Sequence, residues 1–369
     1  MNYWSESYGA STDKFRRLAS ANGAFLHKFT HPSETGPDGS PLTIDVARFG
    51  EQNAKHVFIN TNGVHGWESY PGAAAQLELI DSGKLNTLPS GCSVVLVHCL
   101  NPFGWVYGSQ RNENGVDLNR NFVDFTQLPI ENSAVDLIEE AIAIDEMSLA
   151  ALVKASDRLM ELGRRAATAD IGDALLAGQF QSPESLKFGG TSPQWGNETF
   201  REIVRTATEN AETVIFLDWH TGLGDFGSYY PIPCMGVGQP GWDQTVRVWG
   251  EQVQTHAHQD IKGGDFGGDV MGDALNGLVS TAIRDEAVGA TLSGGLIEFG
   301  TAPFQEIVQA TILDHWMWKK VKDSSPELEF WRTILKTLFA PRHAGWERNT
   351  QTIARETYER TLQELARLA

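Results

Sequence analysis

Four short runs of apolar and β-branched residues punctuate the chain: His56–Asn60, Ser93–His98, Thr213–Asp218 and Gly295–Phe299. Each is followed by polar or glycine-rich residues. Runs this short and this continuously apolar predict strands covered on both faces, because a strand with one wet face would alternate. Between them, apolar positions recur at helical spacing. They predict helices over Gly72–Ser82, Ser133–Leu162, Glu198–Asn210, Trp242–Ala257, Pro303–Lys322, Glu327–Phe339 and Asn349–Leu368. Strands alternating with helices predict a three-layer α/β/α sandwich around a mostly parallel, mixed central sheet. The stretch 124–196 carries helical character and then Gly, Ser and Pro, without strands of its own. It reads as a largely helical insertion into one domain spanning 1–369, with a helical C-terminal segment over 303–369.

Composition narrows the picture by exclusion. Apolar residues make up 41% and charged residues 21% of the 369 positions, values of a globular chain with a sizeable core. The net charge of −18 argues against nucleic acid and against an anionic membrane surface as partners. Three cysteines, Cys92, Cys99 and Cys234, make no disulfide framework and point to a reducing compartment. The opening residues MNYWSESYGASTDKFRR lack an apolar core, and no apolar run reaches the roughly 18 residues of a spanning helix. A cytoplasmic location is therefore expected.

Candidate chemistry sits at the strand ends, where open α/β sheets bind their ligands. TNGVHGWE follows the first run, WHTGLG follows the third, and Glu298 lies in the fourth. His65 and Glu68 are three apart on a turn entering a helix, a spacing that faces one side. H-x-x-E is common by chance, and its weight comes from His220 and Glu298 arriving from two other strands. Two imidazoles and a carboxylate leave an open position on one zinc ion, the arrangement of a catalytic site. The other histidines lack this context. His256 and His258 diverge on a helix, and His98 reads as structural.

The segment NPFGWVYGSQRNENGVDLNRNF follows the second run and gathers Arg111, Asn119 and Arg120 in one polar loop. Arginine forks bind carboxylates in two-pronged fashion, and a fixed cation beside a metal also stabilises an oxyanion. The glycine-rich Gly263–Asp273 and Arg284 read as surface features. No G-x-S-x-G elbow, P-loop or dinucleotide fingerprint is present.

HGWE, RNENGVDLNRNF and DWH, followed by the glutamate of IEFG, resemble in order and content the zinc carboxypeptidase superfamily of the carboxypeptidase A type. They lie near its aspartoacylase and succinylglutamate desuccinylase branch, and the chain is also similar to an uncharacterised bacterial metallopeptidase-like subgroup. The resemblance spans His65 to Glu298. It implies one zinc ion on His65, Glu68 and His220, with Asp117 orienting the first histidine. It implies Glu298 as general base and acid, Arg111 as the cation that polarises the scissile carbonyl, and Asn119 and Arg120 as the holders of a substrate carboxylate. One departure stands out: carboxypeptidases carry a tyrosine on a mobile loop before the last glutamate, and here only Tyr229 and Tyr230 lie between His220 and Glu298.

The expected function is a zinc-dependent hydrolase that cleaves an amide or peptide bond beside a carboxylate-bearing residue, with Glu298 activating water at the zinc. Its substrate would be a small peptide or an N-acyl amino acid. The alternative is an N-acyl amino-acid deacylase of the aspartoacylase type, with a non-catalytic zinc-binding protein as the remote third. Nothing in the pattern specifies an oligomer.

Overall fold

Alternation within the buried strands decides the architecture. The computed structural model describes residues 2–128, 134–165, 178–253 and 277–369. Its strands are β1 (Phe25–Thr35), β2 (Pro41–Gly50), β3 (His56–Asn62), β4 (Cys92–His98), β5 (Thr213–Gly222), β6 (Tyr229–Pro233) and β7 (Thr291–Gly300). They form one sheet in the order β1-β2-β4-β3-β5-β7-β6. The central four, β4, β3, β5 and β7, run parallel, while β2 and β6 are antiparallel to their inner neighbours.

Phe58, Leu96, Ile215 and Leu217 project to one face, where they pack with Phe15, Leu77, Trp249 and Tyr358. These come from α1 (Tyr8–Ala21), α2 (Ser69–Asp81), a short helix and chain extension at α7 (Trp242–Trp249), and the last helix, α11 (Ala344–Leu368). Val57, Ile59, Val95 and Phe216 project to the other face, against Phe200, Val204 and Ile283. Those belong to α6 (Trp195–Thr208) and α8 (Val279–Glu286). The sheet is thus dry on both sides, which is why its central strands lack polar alternation.

A third apolar cluster joins α4 (Val135–Ile142), α5 (Leu149–Arg165), α9 (Phe304–Trp318) and α10 (Pro326–Phe339) with Trp67. Helices α4 and α5, from the stretch 124–196, therefore share a core with the C-terminal segment. Among the described residues the remaining helix is the short α3 (Pro102–Tyr107).

The expected helix over Ser133–Leu162 is two helices. Arg158 closes the first by donating to the carbonyls of Ala141 and Ala143, both at 2.8 Å. Ser148 starts the second, its Oγ accepting from the Ala151 amide at 3.1 Å. Capping groups of this kind satisfy the orphan amides and carbonyls of helix ends. Strands β1, β2 and β6 have no counterpart among the four apolar runs. β1 and β6 are sheet edges; β1 is largely solvent-facing, and the half-buried β6 carries Pro231 and Pro233, which an edge tolerates. β2 buries Asp45, whose carboxylate is taken by Arg16 at 2.8 Å and Thr43 at 2.8 Å. The helix expected over Trp242–Ala257 ends at Trp249, where Gly250 takes φ +88°. Its tail, His256, His258 and Gly263–Asp273 lie outside the described residues.

Candidate metal centre

His65 leaves β3 on a tight turn, Gly66–Glu68, that runs directly into α2. Gly66 is required there: a Cβ would lie 1.9 Å from the backbone of Gly104 on α3. The turn places Nδ1 of His65 2.9 Å from Oε1 of Glu68. His220 lies within β5 rather than beyond it, and its Nδ1 faces Oε2 of the same carboxylate at 3.1 Å. The Thr221 amide also donates to that oxygen at 3.1 Å. Candidate ligand atoms of His65, Glu68 and His220 all lie within 4.8 Å of one another, and all three residues are buried.

An acid stands behind each far nitrogen. Nε2 of His65 donates to Oδ1 of Asp117 at 2.9 Å, and Nε2 of His220 donates to Oδ2 of Asp218 at 2.7 Å. With protons there, each Nδ1 faces an oxygen of Glu68 either through a second proton or through a cation bound in its place. Acceptors face each other at such distances only when a proton or a cation lies between them. Two imidazole nitrogens and one carboxylate, each imidazole braced by an acid, suit zinc.

The electrostatics agree. Burial disfavours charge on His65, but Glu68 and Asp117 outweigh it and raise its pKa to about 9. His220 rises well above its usual value, burial again being overcome, here by Asp218 and Glu68. Burial would lift Glu68 and Asp117, yet their cationic neighbours hold both below the ordinary carboxylate range. The pocket thus favours positive charge between these acids.

Glu298 sits on β7 in direct register with His220 on β5. The two side chains leave the same face of the sheet at the same level. Its Oε1 accepts from the Leu223 amide at 3.0 Å. Burial, then the charge of Glu68, raise its pKa to about 7. Tyr230 on β6 is the antiparallel register partner of Glu298, so it faces the same side.

The polar loop beside the centre is held by many bonds. Asn119 donates its amide to Oδ1 of Asp117 and accepts from the Val279 amide, both at 3.0 Å. Arg120 donates Nη1 to the Asn119 carbonyl at 2.8 Å, while its buried Nε has no partner among the described residues. Arg111 makes its bonds away from the three candidate ligands. It donates to the carbonyls of Gly115 (3.3 Å), Pro183 (3.3 Å) and Ser185 (2.9 Å) and to Nδ1 of His315. Its guanidinium also lies 5.7 Å from the ring centre of Trp318.

A family profile matches residues 4–352. The chain belongs to the DUF2817 family, described as a protein of unknown function. Among solved structures, the carboxypeptidase A of Helicoverpa armigera is similar at 15% identity and a TM-score of 0.41, over 86% of this chain and 72% of that one. An aspartoacylase family protein from Mesorhizobium loti is similar at 14% identity and a TM-score of 0.31, over 80% and 67%. No curated protein matches the chain.

In this DUF2817 chain, three residues at the site carried no expectation. Asp218 braces His220, and Thr61 donates to its other oxygen at 2.6 Å. The signal was available, since residues two apart on a strand share a face and DWH places an acid two before the histidine. Lys187 reaches Oδ2 of Asp117 at 3.3 Å from the later part of the stretch 124–196. Asp314 on α9 accepts from Trp67 Nε1 at 3.0 Å and from the Gln110 amide at 3.1 Å, tying the HGWE turn to the polar loop. Burial raises its pKa to about 6. Arg284 lies on α8 with an exposed side chain beside Asp285. Among the described residues, no helix is long and apolar enough to cross a membrane.

Proposed function

We propose that the chain is a zinc-dependent hydrolase that cleaves an amide or peptide bond beside a carboxylate-bearing residue. The observation that carries this reading is the convergence of His65 Nδ1 and His220 Nδ1 on Glu68, with Asp117 and Asp218 behind the two rings. His65, Glu68 and His220 would hold one ion. Bound zinc would polarise a carbonyl and acidify water.

The chain's own residues supply the rest. Glu298, buried and in register with His220, takes a proton from the attacking water and returns it to the leaving nitrogen. A carboxyl with a pKa raised to about 7 is suited to both tasks near neutral pH. For Arg111 to polarise the scissile carbonyl, its guanidinium has to turn from the Gly115, Pro183 and Ser185 carbonyls and His315 towards the candidate ligands. Arg120, with its unpartnered buried Nε, and Asn119 orient the substrate carboxylate. A mere zinc binder has no use for an acid at the position of Glu298.

A second reading, N-acyl amino-acid deacylation, is favoured by one feature. No tyrosine follows Tyr230 before Glu298, so a tyrosine on a mobile loop in that interval is absent from the sequence. Side-by-side assays of the zinc-loaded protein on peptides with free C-termini and on N-acyl amino acids separate the two. Hydrolysis of neither set, by protein with full zinc occupancy, would refute the enzyme reading. In the same assays Arg120→Ala should raise KM for carboxylate-bearing substrates about ten-fold or more and spare amidated ones.

A further inference from the structure

The two candidate zinc histidines are braced unequally. Behind His220, Asp218 has its second oxygen held by a neutral hydroxyl, that of Thr61. Behind His65, Asp117 has Oδ1 shared by the His65 ring and the Asn119 amide, and Oδ2 faces the ammonium of Lys187 at 3.3 Å. Asp117 is buried, so an oxygen left without a partner there would be costly. Lys187 therefore completes the set that fixes the carboxylate, and the carboxylate fixes the ring.

The backbone at Lys187 points the same way. It takes φ +57°, in the left-handed region that a side chain with a Cβ disfavours. A turn selected for its backbone alone would be relaxed by glycine. The strained residue is held from both sides: its carbonyl accepts from the Gln179 amide at 3.0 Å, and the next carbonyl, of Phe188, accepts from the Asp117 amide at 2.8 Å. The same segment supplies the Pro183 and Ser185 carbonyls that hold Arg111, and Gly178 abuts the Arg120 side chain.

We propose that Lys187, carried by the returning arm of the insertion, is a positioning residue that locks Asp117 and through it the metal ligand His65. This rests on the reading of His65, Glu68 and His220 as a metal centre. The arm then makes the insertion part of the site's construction rather than an appendage to it.

The test measures zinc affinity by competition with a chromophoric chelator, together with thermal unfolding of the metal-free protein. Lys187→Met and Lys187→Gly should each weaken zinc binding about ten-fold or more, the scale reported for groups that orient metal ligands. Lys187→Gly should lower the melting temperature of the metal-free protein less than Lys187→Met, because both leave Asp117 Oδ2 unpartnered and only glycine relieves the φ strain. Lys187→Arg should recover most of the affinity. Wild-type affinity in both Lys187→Met and Lys187→Gly, or loss in step with the melting temperature and no recovery by arginine, would overturn the proposal alone. Wild-type protein that binds no zinc, or His220→Ala that binds it equally well, would overturn the underlying metal centre as well.

Discussion

His98 closes β4 and His220 lies within β5, strands of one sheet with β3 between them; both are buried, and their environments are opposite. His98 closes β4 with Nδ1 3.0 Å from Oε1 of Gln76, its ring stacked 4.5 Å from Phe15, and its Nε2 without a partner among the described residues. Burial pushes its pKa down to about 4, since the charges of Asp45 and Arg16 act in opposite directions. His220 and His65 each meet one acid at Nε2 and a shared acid at Nδ1, and both rise despite burial. Burial, then, does not distinguish a core histidine from a ligand. A carboxylate behind the ring and a second acid in front do.

The sharpest break of this comparison concerns the acid beside the candidate ligands. Glu298 is pushed towards neutrality by burial, as His98 is, yet it stands in register with His220. Glu298→Gln should cut turnover about a thousand-fold while zinc content stays at the wild-type level. Turnover within a few-fold of wild type would remove Glu298 from the chemistry.

A smaller effect separates the histidines by pH. The folded pKa of His98 is depressed to about 4, so its stabilising contribution is complete above the unfolded value of about 6.5 and is lost as pH falls through the interval to 4. The loss amounts to about 3 kcal/mol. Denaturant unfolding between pH 7.5 and 4 should show His98→Gln with a flatter profile than wild type. Parallel profiles would contradict a neutral buried His98.

Smaller again is the effect of the brace. Asp218→Asn keeps the shape but no longer accepts as a charged partner, and zinc affinity should fall about ten- to a hundred-fold by chelator competition. An unchanged affinity would show that the acid behind His220 does not tune the ligand.

The same contrast marks what could be read from the residues. The four parallel strands announce themselves because both of their faces are dry. His65, Glu68, His220 and Glu298 stand out because they follow or close the apolar runs within those strands. Edge strands β1 and β6 carry polar residues and prolines, and β2 hides a buried acid, so apolar runs do not reveal them. Asp218 was within reach through strand alternation. Lys187 and Asp314 were not: they come to the site from the stretch between α5 and α6 and from α9, through contacts that no local spacing encodes. The break between α4 and α5 likewise depends on Arg158 reaching back across a turn.

The most direct measurement is metal content after dialysis into zinc-buffered solution, for wild type, His98→Gln and His220→Ala in parallel. Wild type and His98→Gln should each retain one zinc per chain, and His220→Ala should retain none. One equivalent surviving in His220→Ala, or none in wild type, would contradict the assignment of His65, Glu68 and His220 as a zinc site.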